Sequence, residues 1–170
     1  MVVFTDIQAM GYERVSNQLW QERKILELLV FKLEEEHLIL VSGRHAWLKH
    51  ATTEVEHVVD ALRAAEAVRA EAVAELGEEL GIGSTPSILD IAEAAGDPWS
   101  EIFIQHQEEL LKILNKINSI ATANREILAQ NIVATTDALS LLGESPVAAY
   151  DSNAQAVSEA PSARLMNASL

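Results

Sequence analysis

The chain has 170 residues, 49% hydrophobic but only 5% aromatic, enough for one core built by aliphatic helix packing. A formal net charge of -14 repels phosphate backbones and anionic lipid surfaces, which sets nucleic acid aside as a ligand. There is no cysteine, so disulfides, thiolate catalysis and thiolate zinc sites are excluded together, and no apolar run approaches the roughly 18 residues that membrane insertion requires.

The first residues, MVVFTD, lack the basic region of a secretory signal, and the expected location is the cytoplasm. A short apolar start meets Gly11 before any period is established, so residues 1–15 read as a loosely docked lead-in. From Ser16 onward, Leu19, Leu26, Val30, Leu33 and Leu40 recur at helical spacings with no Pro or Gly before Gly43, which predicts a first long helix. The pattern restarts after Ser42-Gly43 with Leu48, Ala51, Val55, Val58, Leu62, Ala65, Ala72 and Leu76. So short a connection makes residues 16–80 an antiparallel helical hairpin. Gly81 and Gly83 close it, and Thr85-Pro86 reads as a cap followed by a helix-starting proline, opening a short corner helix over 86–95.

Asp97-Pro98 repeats that signal, and no Gly or Pro follows before Gly143, so the third long helix spans 97–142. Leu110, Ile117, Asn124, Asn131 and Ala138 recur every seven residues, with Leu114, Ala121, Leu128, Thr135 and Leu142 four residues on, which makes a coiled-coil-like seam. Ile113, Ile120 and Ile127 widen the apolar stripe on one side, and Leu111, Ile132 and Leu139 on the other. That much apolar surface needs more than one neighbour. The last 28 residues hold seven Ala, five Ser and two Pro without sustained period, so residues 143–170 read as a disordered tail in which Tyr150 is the only aromatic. The fold class expected is all-α: an elongated antiparallel bundle of three long helices, 16–142, with a corner helix and a disordered C-terminal tail.

Chemistry is sparse along this frame. Two Glu-x-x-His pairs, Glu34 with His37 and Glu54 with His57, have the spacing used by di-iron bundles, but folding the hairpin at Ser42-Gly43 leaves them about 9 Å out of level at 1.5 Å per residue. Solvated helix-face charge is the better reading, with no metal and no cofactor. No nucleophile has a base at matching phase, and Gly81-Ile-Gly83-Ser84-Thr85 lacks the Lys and the strand of a phosphate loop, so catalysis is not expected. Asn124 and Asn131 fall in the seam. They read either as register-fixing polar residues or as hydrogen-bonding groups for an incoming segment.

A hairpin, a corner, a long helix carrying NKINSIATANREILAQNIVATTDALSLL and a tail with AAYDSNAQA resemble the FlgN family of flagellar export chaperones over about residues 16 to 157. The resemblance implies a cytoplasmic chaperone whose late helix holds the C-terminal helical segments of the two hook-filament junction proteins and prevents their premature assembly. It also implies that a tail tyrosine, here Tyr150, followed by Asn153 and Gln155, docks at the export gate. Where relatives often carry a further Asn this chain has Ala121, and where they often carry Gly it has Ala154. The partner-binding set expected from seam and resemblance together is Ile117, Asn124, Leu128, Asn131, Ile132, Leu139 and Tyr150. The alternative is a non-catalytic structural or regulatory bundle that homodimerises through its surplus apolar face.

Overall fold

The computed structural model describes residues 2–141 and, within them, side chains from residue 8 onward. The expected tail, 143–170, lies outside the described residues. The first helix, α1 (Val2–Val41), is continuous through Gly11, so the lead-in expected over residues 1–15 is instead helical from Val2. One glycine inside a helix costs only about 1 kcal/mol, and packing outweighs it here. Tyr12 and Val15 are buried, with the Tyr12 ring 5.6 Å from Trp99 and 6.2 Å from Phe103. The bare backbone of Gly11 also lets α2 come close, because a Cβ there would sit 2.9 Å from Leu76 Cδ1.

Gly43, at φ 68°, turns the chain in a left-handed conformation that favours glycine, and a single turn of 3-10 helix (His45–Trp47) leads into α2 (Leu48–Leu80). The two helices are antiparallel, as their cross-links show: Thr52 donates to Glu36 at 2.8 Å, Lys32 reaches Glu54 at 2.7 Å, Arg69 Nε lies 2.6 Å from Glu22 Oε2, and Arg14 pairs with Glu75. The Glu22–Arg69 pair is buried, and burial, reinforced by the Glu66 carboxylate, raises the Glu22 pKa above the ordinary carboxylate value despite the guanidinium beside it.

At its C-terminus α2 closes on Gly81, and the Ile82 amide donates back to the Gly77 carbonyl at 3.0 Å. Gly77 is where the chain folds over itself, since a Cβ at that position would lie 2.1 Å from the Gly83 carbonyl oxygen and 2.9 Å from Pro86. The corner helix, α3 (Ile88–Ala95), starts two residues later than the sequence predicts. Its cap is Ser87, whose hydroxyl accepts from the Asp90 amide while the Asp90 carboxylate accepts from the Ser87 amide at 2.8 Å; this reciprocal box outcompetes Thr85-Pro86. Likewise α4 (Trp99–Leu141) begins after Pro98, which follows a cis peptide bond from Asp97; its first turn is tied down by the Ser100 amide donating to the Gly96 carbonyl at 2.8 Å.

Up, down and up again, the three long helices place α4 parallel to α1. The close backbone approaches are α1 with α2, α1 with α4, and α3 with α4, so α1 is the shared member of the bundle. One apolar core joins them: Leu19, Leu26 and Leu33 from α1, Leu62 and Leu76 from α2, Ile88 and Ile91 from α3, and Phe103, Leu110 and Ile117 from α4.

His106 sits at the α1–α4 contact, buried, with Nε2 2.9 Å from Ser16 Oγ and the Trp20 ring edge-on at 5.3 Å. Burial first, and the Arg23 guanidinium second, lower its pKa below the ordinary imidazole value of 6.5. The folded chain therefore takes up this proton at lower pH than the unfolded chain does. The stability contributed by the neutral ring is complete above pH 6.5 and is lost as pH falls through the lower folded value. Urea unfolding between about pH 7.5 and pH 5.5 should show this loss. In His106→Gln, which keeps a polar partner for Ser16 without titrating, the pH dependence should be flatter; identical slopes in the two proteins would assign the effect to other groups.

Candidate partner-binding surface

The α1–α4 seam begins apolar and ends polar. Phe103, Leu110 and Ile117 are buried in it at seven-residue spacing, and Asn124 takes the next position. Its amide nitrogen donates to the Leu33 carbonyl at 3.0 Å and to Glu36 Oε2 at 3.1 Å, and its amide oxygen accepts from His37 Nδ1 at 2.8 Å. Every strong polar group of the Asn124 side chain thus faces α1. An amide with three partners at one level of two parallel helices fixes their axial register.

That register determines where α4 runs out of neighbour. Four residues beyond His37, α1 ends at Val41, whereas α4 continues from the level of Leu128 to Leu141, about 20 Å at 1.5 Å per residue. No residue of α4 after Asn124 is buried. The seam pattern nevertheless persists: Leu128, Asn131, Ile132 and Leu139 continue the face that carries Leu110, Ile117 and Asn124, because spacings of three, four and seven repeat on one side of a helix. Leu128 is 40% and Ile132 53% exposed, while Asn131 and Leu139 are half-buried. The Asn131 amide nitrogen is shielded from water and has no hydrogen-bond partner among the described residues. A buried amide donor without an acceptor is costly. Scattered exposed apolar residues are ordinary on protein surfaces, but a seam that outlasts its partner helix is a contiguous, patterned patch.

The residues singled out from the sequence therefore divide into three groups. Ile117 and Asn124 lie inside the bundle, against α1. Leu128, Asn131, Ile132 and Leu139 line the projecting section together. Tyr150 lies outside the described residues. Three of the four Glu-x-x-His residues are engaged separately: Glu34 pairs with Lys116 and Glu54 with Lys32, each at 2.7 Å, and His37 serves Asn124. Among the described residues no group of three or more potential ligands is placed to hold a metal ion, and no helix is long and apolar enough to cross a membrane. The part played by His37 and Glu36 as partners of the seam amide went unread in the sequence. Their only signal is that both fall near the end of α1 at the level where the seam turns polar.

Asn124→Ala should remove all three bonds and leave polar groups of α1 unpaired in a half-buried site. A loss of about 2 kcal/mol in urea unfolding is expected, with the native helical content retained. A change within about 0.5 kcal/mol would mean that the register is set by the apolar positions alone.

A family model described as FlgN protein matches residues 10–158. No curated protein and no solved structure gives a match to the chain.

Proposed function

The chain belongs to the FlgN family of flagellar type III export chaperones, and from that premise we propose that it holds the C-terminal helical segments of hook-filament junction proteins on the projecting section of α4. The observation that supports this reading is the continuation of the α1-facing seam past the end of α1. A client helix laid beside residues 128–141 takes the place that α1 occupies lower down. It covers Leu128, Ile132 and Leu139, each worth about 1.5–3 kcal/mol when fully buried. Such cover keeps an assembly-competent helix from meeting its own kind before export. The setting is the cytoplasm, ahead of the export gate, and the tail supplies the second contact. Tyr150 offers a large contact area and a hydroxyl at small entropic cost, which suits a transient dock at the gate.

Binding of a peptide matching the C-terminal helical segment of a hook-filament junction protein tests the reading. Ile132→Asp should weaken it at least about tenfold, with helicity and melting unchanged because Ile132 is already 53% exposed. Unchanged affinity would move the client elsewhere. Tyr150→Ala should leave that affinity intact and lower delivery of the client for secretion in cells; a matching loss of peptide binding would put the tail in the cargo site itself.

A further inference from the structure

At the opposite end of the bundle from the projecting section of α4, the early turns of α1, the ends of α2 and α3 and the start of α4 border a cleft of about 480 Å³. That volume falls within the roughly 300–1,000 Å³ typical of ligand sites. Its inner wall is aromatic, since Tyr12 and Trp99 line it with ring centroids 5.6 Å apart. Its rim is acidic. Glu79 and Asp97 line it from exposed positions, and neither carboxylate has an ion pair or a hydrogen bond among the described residues.

The backbone adds to this negative character. Leu80 and Ala95, the last residues of α2 and α3, both line the cleft, so two helix C-termini with their partial negative charge meet there. The positive end of α4 at Trp99 also borders it, but two carboxylates and two negative helix ends outweigh one positive end. Among the described residues, no Lys, Arg or His lines the cleft.

Tyr12 supplies an observation independent of charge. Its side chain is 6% exposed, with its ring held by Trp99 and Phe103, and its hydroxyl has no hydrogen-bond partner among the described residues. Buried phenol hydroxyls ordinarily find a partner, and because Tyr12 lines the cleft, this one is left for a group that enters there.

A guanidinium matches this set of groups. It stacks flat on aromatic faces and carries five N–H donors in a rigid fork, whereas an ammonium is a compact, strongly hydrated point charge. We propose that the cleft binds a guanidinium group, with its plane on the Tyr12–Trp99 wall and its N–H groups donating to Glu79, Asp97 and the Tyr12 hydroxyl. The site is separate from the client surface on α4 and does not depend on it.

Titration of the full chain at about 0.15 M salt, followed by the Trp99 indole N–H resonance, tests this with ethylguanidinium and with end-blocked tripeptides carrying a central arginine, lysine or citrulline between glycines. The arginine peptide should shift that resonance saturably, leave those of Trp20 and Trp47 in place, and bind at least about tenfold more tightly than the lysine or the neutral citrulline peptide. Ethylguanidinium binding as tightly as the arginine peptide would make the ligand a small free guanidinium compound; tighter binding of the peptide would make it an arginine of another protein. Glu79→Gln combined with Asp97→Asn should weaken the arginine peptide at least about tenfold with unchanged melting, since both positions are exposed. Tyr12→Phe, which keeps the ring, should weaken it about threefold with helicity retained. Three results would overturn the proposal: no saturable shift at Trp99, a lysine or citrulline peptide that binds as well as the arginine peptide, or an affinity unmoved in the double carboxamide variant, which would assign the binding to diffuse net charge.

Discussion

The dependence of this structure on one level of contact, where Asn124 meets Leu33, Glu36 and His37, is geometric before it is energetic. Two parallel helices with aliphatic seams can slide by a turn at modest cost, since a Leu or Ile fills several positions about equally well. An amide with three directed bonds cannot. By locking Asn124 to the last turns of α1, the chain determines how much of α4 is left over, and the leftover section carries the same apolar pattern as the part that is covered. The axial register of the bundle and the length of its open end follow from the same residue.

Much of the frame can be read directly from residue spacing. The long helices, their hairpin turn at Gly43 and the stop at Gly81 follow from 3.6-residue periodicity and from the few places where only glycine fits comfortably. The starts of helices were harder. Ser87 and not Thr85 caps α3, because the reciprocal bond from Asp90 depends on a partner three residues on, which a cap-plus-proline reading does not weigh. The first fifteen residues look weak because Gly11 interrupts their pattern, yet that glycine lets Leu76 approach, and Tyr12 joins the aromatic group of Trp99 and Phe103 from a distance no local window covers.

The seam itself was legible as a heptad row, but its division into covered and uncovered parts was not. Periodicity gives the same weight to Ile117 and Leu128; what separates them is the length of α1, a property of another element. Similarly, the run LELLVFKLEEEHLIL in α1 is apolar around most of the helix and shows its inward and outward faces only once α2 and α4 are in place. The buried Glu22–Arg69 pair gave no sequence signal at all, and its separation along the chain is the reason.

The parallel alignment of α1 and α4 also bears on what each contact costs to form. Side-chain bonds between α1 and α2 join residues as few as 16 and 22 apart, whereas those between α1 and α4 join residues 82 to 91 apart. Closing the longer loop costs about 1.5 kcal/mol more in chain entropy than closing the shorter ones, by the logarithmic dependence on length. The hairpin is thus the more local unit, and α4 is the element whose docking carries the larger entropic penalty. Of the three long helices, the one with the open end is also the one whose contacts span the most sequence.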